Sequence, residues 1–379
     1  MKRCRVEIII SVLLMAFICM PLTTMLLRDK QFFAIDENRN LSSFPEESLA
    51  EAVVGDGEYF KKIETWFNDR FGFRDMLIRT KNQINFSVFR TTGDDGVYIG
   101  DEGYLSYKSV VAKEQIANEK LEDSDLEEIV DSLEHLQERL LSDSIVFMFI
   151  IPAQKNDVFP ERAVGFPVRR PTPNNYEVLC SKFKENIALE QSFVDVVPIL
   201  REAEEKYPTY YRTDFHWNSY GATVVYSSIV NSIAQKDGIE SPIFDESYYT
   251  VEWIEGFQGG QLQNIPLWEE WNETTVITRK IETSKLVEVT TGQEENGAKH
   301  WINKDENAPL GTVLLIGDSY TQYMIMADSG VLDCFEEVYW VHTDESSGVI
   351  DNYANMVDYV IFEKIESGLP YLEELVNEL

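Results

Sequence analysis

At 379 residues and 44% hydrophobic content, the chain is long enough for one large α/β domain with extensions, and its composition excludes a disordered polypeptide. Its 66 acidic residues against 33 basic ones give a formal net charge of −33, which excludes the basic face that nucleic-acid binding requires. Four cysteines (Cys4, Cys19, Cys180 and Cys334) show no zinc-site spacing, and neither a metal nor a cofactor is expected.

In chain order, Lys2, Arg3 and Arg5 precede a twenty-residue apolar run over 8–27. At ~1.5 Å per residue, this run spans a hydrocarbon core of ~30 Å. The basic charges on its short side keep that end in the cytoplasm. Residues 1–30 are therefore read as a retained membrane anchor with the rest of the chain on the extracytoplasmic side, and a cleaved secretory signal is the alternative. The bulky Ile18 before Cys19 argues against lipidation.

Residues 31–110 read as a helical extension that ends in a hairpin. Tyr59, Ile63, Trp66 and Phe67 share one helical stripe, and two short strands flank the Asp101-Glu102-Gly103 turn. The remaining residues, 111–379, read as an α/β domain. Its first part is a helix over 124–141 with Ser124 as a candidate cap, a strand over 145–151, a helix over 176–189, a strand over 193–197 and helices over 199–206 and 219–234. Residues 242–300 are less regular and resemble an insertion over an active site. Alternation then resumes with strands at 312–316, 337–341 and 358–362, helices between them and an acidic terminal helix. Cys180 and Cys334, both in this domain, leave one disulfide and two buried thiols as open alternatives.

Two segments carry chemistry. The run Thr312-Val313-Leu314-Leu315-Ile316 is apolar and β-branched, as in a buried parallel strand, and it stops at Gly317-Asp318-Ser319-Tyr320. Ser319 thus falls at the carboxyl edge of a sheet, where ligands bind in open α/β folds. A serine hydroxyl needs an imidazole to take its proton and a carboxylate to fix the imidazole's tautomer. Asp214-Phe215-His216 supplies both groups, so Ser319 is the candidate nucleophile, His216 the general base and Asp214 the orienter. His342 is the one credible substitute base, whereas His135 and His300 read as solvated. Backbone N–H groups of Ser319 and Tyr320 at a helix start could hold an oxyanion, with Gly260 or Asn156 as second donor. Lys155 reads either as bordering the expected pocket or as part of a structural ion pair, Trp217 reads as packing rather than sugar stacking, and Asp318 reads as structural. Arg162, Arg169 and Arg170 form either a local basic patch or a solvated loop.

This pairing resembles the SGNH-type hydrolase and acyltransferase superfamily. The branch it is similar to holds the DHHW proteins and the AlgJ/AlgX-type alginate O-acetyltransferases, in which Asp-x-His precedes Gly-Asp-Ser. Further similarities are Asp36-Glu37-Asn38-Arg39-Asn40-Leu41 with Phe44-Pro45, the segment from Trp66 to Arg74, Gly96-Val97-Tyr98-Ile99-Gly100 with Gly103-Tyr104-Leu105, and Pro152-Ala153-Gln154-Lys155. The resemblance implies an SGNH-hydrolase-like three-layer sandwich with a mainly parallel sheet. It also implies acetyl transfer through an acetyl-serine onto a cell-surface or exported polysaccharide, with the donor supplied by an MBOAT-type membrane acyltransferase. A carbohydrate esterase and a non-catalytic glycan-binding protein are the alternatives. Where many relatives read Glu-x-x-Glu-Arg, this chain has Glu363-Lys364-Ile365-Glu366-Ser367, and no arginine stands near Val341-His342-Thr343-Asp344. Acceptor handling is accordingly expected to differ, and the chain's acidity favours an acceptor less acidic than alginate.

Overall fold

The computed structural model describes residues 2–28, 33–34, 39–45, 58–91, 97–107, 121–162, 173–260, 265–289 and 298–379. Arg169 and Arg170 lie outside them. The chain forms two compact units, Met1–Asp94 with Gly260–Trp271, and Asp95–Gly259 with Asn272–Leu379.

In the first unit, α1 (Lys2–Arg28) contains Ile8–Met25, a stretch of mean hydropathy 2.4 that is long and apolar enough to cross a membrane. Two short antiparallel strands, β1 (Phe33–Ala34) and β2 (Arg39–Asn40), precede helices α2 (Glu58–Arg70) and α3 (Arg74–Phe89). Asp69 of α2 fixes the preceding chain by accepting from Arg39 at 2.6 Å and from the Ser42 N–H at 2.8 Å. Of the expected stripe, Trp66 packs edge-on against Phe44, while Phe67 is exposed. Residues 265–271 join this unit because α3 holds them. Arg79 donates to Leu267 O at 3.0 Å, Asn82 to Pro266 O at 3.2 Å, and Phe86 meets Trp271 edge-on.

The second unit opens with the hairpin of β3 (Val97–Ile99) and β4 (Leu105–Tyr107). This hairpin was expected to close the N-terminal extension. It belongs instead with the α/β core, since the Leu105 N–H donates to Arg212 O at 2.8 Å. There follow α4 (Asp123–Ser142), β5 (Val146–Ile150), α5 (Lys155–Val158), α6 (Asn175–Glu185), α7 (Val196–Glu204) and α8 (Ser219–Lys236). Glu122, not Ser124, occupies the cap position of α4. The strand expected at 193–197 shrinks to a single bridge between Phe193 and Phe149, because the Asp195 carboxylate accepts from the Val197 N–H at 3.1 Å and starts α7 there.

The region 242–300 is more regular than its sequence suggests. It contains an antiparallel hairpin, β6 (Tyr249–Phe257) with β7 (Glu273–Lys280), then β8 (Leu286–Glu288) and β9 (Lys299–Asn303). The chain ends with β10 (Leu310–Gly317), α9 (Ser319–Met326), β11 (Phe335–His342), α10 (Val349–Tyr353), β12 (Tyr359–Glu363) and α11 (Leu372–Glu378). The central sheet has the order β5-β12-β10-β11-β9-β8, with the first four strands parallel and the last two antiparallel.

This is the α/β fold with a mainly parallel sheet that the pattern implies. Helices α4, α6 and α11 pack together, as do α7, α8 and α9. Val313 to Ile316 and Val360 to Phe362 are buried, and each such side chain contributes about 1.5–3 kcal/mol by leaving water. Cys180 and Cys334 are free and buried, and burial pushes the Cys334 thiol up to about 12.

Candidate active site

β10, β11 and β12 end side by side, with Gly317 in register with His342 and Ile316 with Phe362. At that edge the chain turns sharply from β10 into α9. Asp318 caps α9 by accepting from the Tyr320 N–H at 3.0 Å, and its other oxygen accepts from the Ile365 N–H at 3.1 Å. The turn is close-packed. A Cβ on Gly317 would lie 2.0 Å from Thr321 Oγ1 and 2.8 Å from Glu363 Oε2, so only glycine fits. Ser319, the first residue of α9, is left facing outward and partly exposed.

The second half of the site is the loop 211–216 before α8, which Asn218 caps by accepting from the Gly221 N–H at 2.9 Å. Asp214 Oδ1 lies 2.7 Å from His216 Nδ1 and accepts the His216 backbone N–H at 3.1 Å. His216 Nε2 lies 2.7 Å from Ser319 Oγ. Asp214 and His216 are 2% and 6% exposed, so the carboxylate's effect on the ring is little screened.

Aromatic rings pack around His216. Tyr323 stacks on it at 4.2 Å, Phe215 lies at 4.0 Å and Tyr320 at 4.9 Å. Tyr320 also anchors the loop by donating its hydroxyl to Phe215 O at 2.9 Å. Sequence reasoning missed this cage. The spacing of Tyr320 and Tyr323, one helical turn apart behind the serine, was the available signal.

Ser319 opens onto a cavity of about 220 Å³ lined by Ser106, Gln154, Lys155, Asn156, Phe215, Tyr320, Ile365 and Ser367. Asn156 is buried there, and its Oδ1 accepts from the Ser106 hydroxyl at 2.7 Å, which leaves Nδ2 as the group it can offer to the cavity.

Other expected site residues fall elsewhere. The Tyr320 N–H is already engaged by Asp318 and is not open to an oxyanion. Gly260 is exposed and belongs to the first unit. Trp217 is fully buried, donates to Tyr320 O at 3.1 Å and does not line the cavity. His300 is no solvated loop residue; it sits on β9, 2.5 Å from Glu337 and stacked on Tyr339. His342 ends β11, and its Nδ1 accepts from the Asp344 N–H at 3.2 Å. Arg162 pairs with Glu204 at 2.6 Å and covers the Phe159 ring, so its charge is already matched.

The loop has a further neighbour. Gly259 donates its N–H to Thr213 Oγ1 at 2.9 Å, and a Cβ there would stand 2.3 Å from Thr213 O and 2.7 Å from Asp214 N. Gly259→Ala must displace the backbone on one side of this contact, which disturbs the setting of Asp214. Turnover of an activated ester is expected to fall about 10²-fold, as for a misplacement near 1 Å, and because the clash is with backbone the melting temperature is expected to fall as well.

A mainly parallel sheet with a serine at its carboxyl edge, bonded to an Asp-x-His loop, defines an SGNH hydrolase-like domain. Residues 97–328 match the family described as SGNH hydrolase-like domain, acetyltransferase AlgX, and the chain belongs to that family. Over 207 residues it is 26% identical to the probable alginate O-acetylase AlgJ of Pseudomonas syringae pv. tomato. That match takes in 53% of this chain and 49% of the relative, so the chain spans about half the length of the curated relative it matches. Among solved structures, Bacillus cereus PatB1 with a sulfonyl adduct superposes with a TM-score of 0.53 at 15% identity, over 72% of this chain and 95% of that one. The O-acetyltransferase domain of Pseudomonas putida AlgJ superposes with a TM-score of 0.47 at 16% identity, over 75% and 99%.

Proposed function

We propose that this chain is a membrane-tethered serine acyltransferase that carries an acetyl group on Ser319 and passes it to a polysaccharide hydroxyl outside the cytoplasm. The observation that carries this reading is the hydrogen-bonded line from Asp214 through His216 to Ser319, opening on a cavity in a chain of the AlgX acetyltransferase family. In the first step, Ser319 Oγ attacks the acyl carbonyl and its proton passes to His216 Nε2. Asp214 keeps the Nδ1 proton in place and stabilises the imidazolium.

The negative oxygen of the tetrahedral intermediate is held by the Ser319 N–H at the start of α9 and by Asn156 Nδ2. As the intermediate collapses, the imidazolium returns its proton to the leaving group. In the second step, the same imidazole takes the proton of a sugar hydroxyl as that oxygen attacks the acetyl-serine, and returns it to Ser319 Oγ as the bond between Oγ and the acetyl carbon breaks. A glycan rather than water as the second nucleophile rests on the family, in which AlgJ of Pseudomonas syringae is named a probable alginate O-acetylase. The apolar α1 would hold the enzyme beside an MBOAT-type membrane protein that supplies the acetyl group. The net charge of −33 favours an acceptor with fewer carboxylates than alginate.

Mass spectrometry of the protein after brief exposure to p-nitrophenyl acetate tests the reading, with neutral glycan present or absent. An acetyl adduct on Ser319 that moves to glycan is the expected result. An adduct lost only to water would make the chain an esterase, and no adduct with no turnover would overturn the catalytic reading.

A further inference from the structure

The loop 211–216 is gripped from two sides by buried side chains of opposite charge that take no part in the proton relay. On one side, Lys155, at the start of α5 and 4% exposed, donates to Tyr211 O at 3.0 Å, Arg212 O at 3.1 Å and Asp214 O at 2.6 Å. An ammonium has three protons, and all three are spent on this one loop. On the other side, Glu273, the first residue of β7 and also 4% exposed, accepts from the Arg212 N–H at 2.6 Å, the Thr213 N–H at 2.9 Å and the Thr213 hydroxyl at 2.5 Å.

We propose that Lys155 and Glu273 act as one pair of positioning residues, fixing the backbone of the Asp-x-His loop so that His216 meets Ser319 before substrate arrives. The inference rests on the reading of Ser319, His216 and Asp214 as the catalytic groups, and it assigns Lys155 to the loop rather than to substrate.

Three features support a joint action. The bonds alternate along the backbone, with carbonyls 211, 212 and 214 going to the cation and N–H groups 212 and 213 to the anion, so the loop can neither rotate nor slide without breaking several at once. Each charge is isolated from water and compensated by the other across the loop. Burial outweighs the upward pull of Glu273 and then Asp214 and brings the Lys155 ammonium down to about 7. Loss of the Glu273 charge therefore also removes a group that keeps Lys155 protonated, and a neutral amine has only two protons for three carbonyls.

The test compares full-length protein with Lys155→Met, Glu273→Gln and the double variant. The measurements are kcat and KM for p-nitrophenyl acetate, thermal melting, and the far-downfield NMR signal of the proton between His216 and Asp214. Each single variant is expected to lower kcat about 10²-fold with KM nearly unchanged, and to broaden or lose the downfield signal. The double variant is expected to lose no more than the worse single one, as residues acting as a unit do.

Single variants that keep wild-type kcat and the downfield signal would overturn the proposal, as would losses that multiply in the double variant. Should Lys155→Met fail to fold, Glu273→Gln decides, since it keeps the size of the side chain. A wild-type protein that forms no adduct on Ser319 would sink the catalytic reading, and the downfield proton still reads the loop without turnover.

Discussion

On the proposed reading, Ser319→Ala is expected to remove the acyl-enzyme altogether, and His216→Ala to lower its formation by about 10²–10⁴-fold, the range for losing a positioned general base. Asp214→Asn is the more discriminating change. Asp214 Oδ1 receives both the backbone N–H of His216 and its Nδ1 proton, at 3.1 Å and 2.7 Å. An asparagine can keep the first bond through its oxygen. It can keep the second only by the same oxygen, and if the amide nitrogen turns toward the ring, Nδ1 must accept and Nε2 carries the proton. Nε2 then faces Ser319 Oγ, at 2.7 Å, with a proton of its own and cannot receive one. The expected loss is on the order of 10⁴-fold in kcat.

Combining the three changes should cost little more than Ser319→Ala alone, since each residue works only through the others. Folded Ser319→Ala protein that still turned over p-nitrophenyl acetate at the wild-type rate would end the case for this site.

The parts of the site that were legible in the sequence are those carried by local pattern. The apolar run into Gly317 and Ser319 announces a strand that stops at a turn, and two residues suffice to bring Asp214 and His216 together. What supports them comes from distant segments. Ser106 reaches Asn156 across 50 residues, Glu273 reaches Thr213 across 60, and Gly259 reaches it across 46. No periodicity records such a contact.

The hairpin that supplies Gly259 and Glu273 was read as irregular for a physical reason. In Tyr249–Phe257, the exposed Trp253 and the buried Tyr249 fall on the same alternation, so the run has no clean apolar face. Pairing with Glu273–Lys280, not its own pattern, makes it a strand. The same holds for His300, whose partners Glu337 and Tyr339 come from β11.

Glu363 is the buried group beneath Ser319, and its replacement should separate stability from chemistry. It is 0% exposed at the end of β12, and its Oε2 accepts from the Asp318 N–H at 3.0 Å, the Thr321 N–H at 3.0 Å and the Thr321 hydroxyl at 2.7 Å. It thus ties both sides of the Ser319 turn to the sheet. Glu363→Leu strands three donors in a dry interior, at about 1–3 kcal/mol for each left unpartnered, so a loss on the order of 3–5 kcal/mol is expected in denaturant unfolding.

Glu363→Gln keeps an acceptor in the same place. Burial, and then the Asp318 charge, hold the Glu363 carboxyl protonated well above its ordinary value of 4.5. In the unfolded chain it ionises near 4.5, so above that pH the folded state binds one proton more than the unfolded state, and wild-type stability declines with rising pH by about 1.4 kcal/mol per unit until the folded carboxyl ionises. An amide does not titrate. The stability of Glu363→Gln relative to wild type should therefore be level below about pH 4.5 and climb steadily above it, with the acyl-enzyme still forming because Ser319 and His216 are undisturbed. A difference between the two proteins that stayed flat from pH 4 to pH 7 would show that Glu363 is ionised in the fold, and the turn would then be held by a charge rather than by a neutral acid.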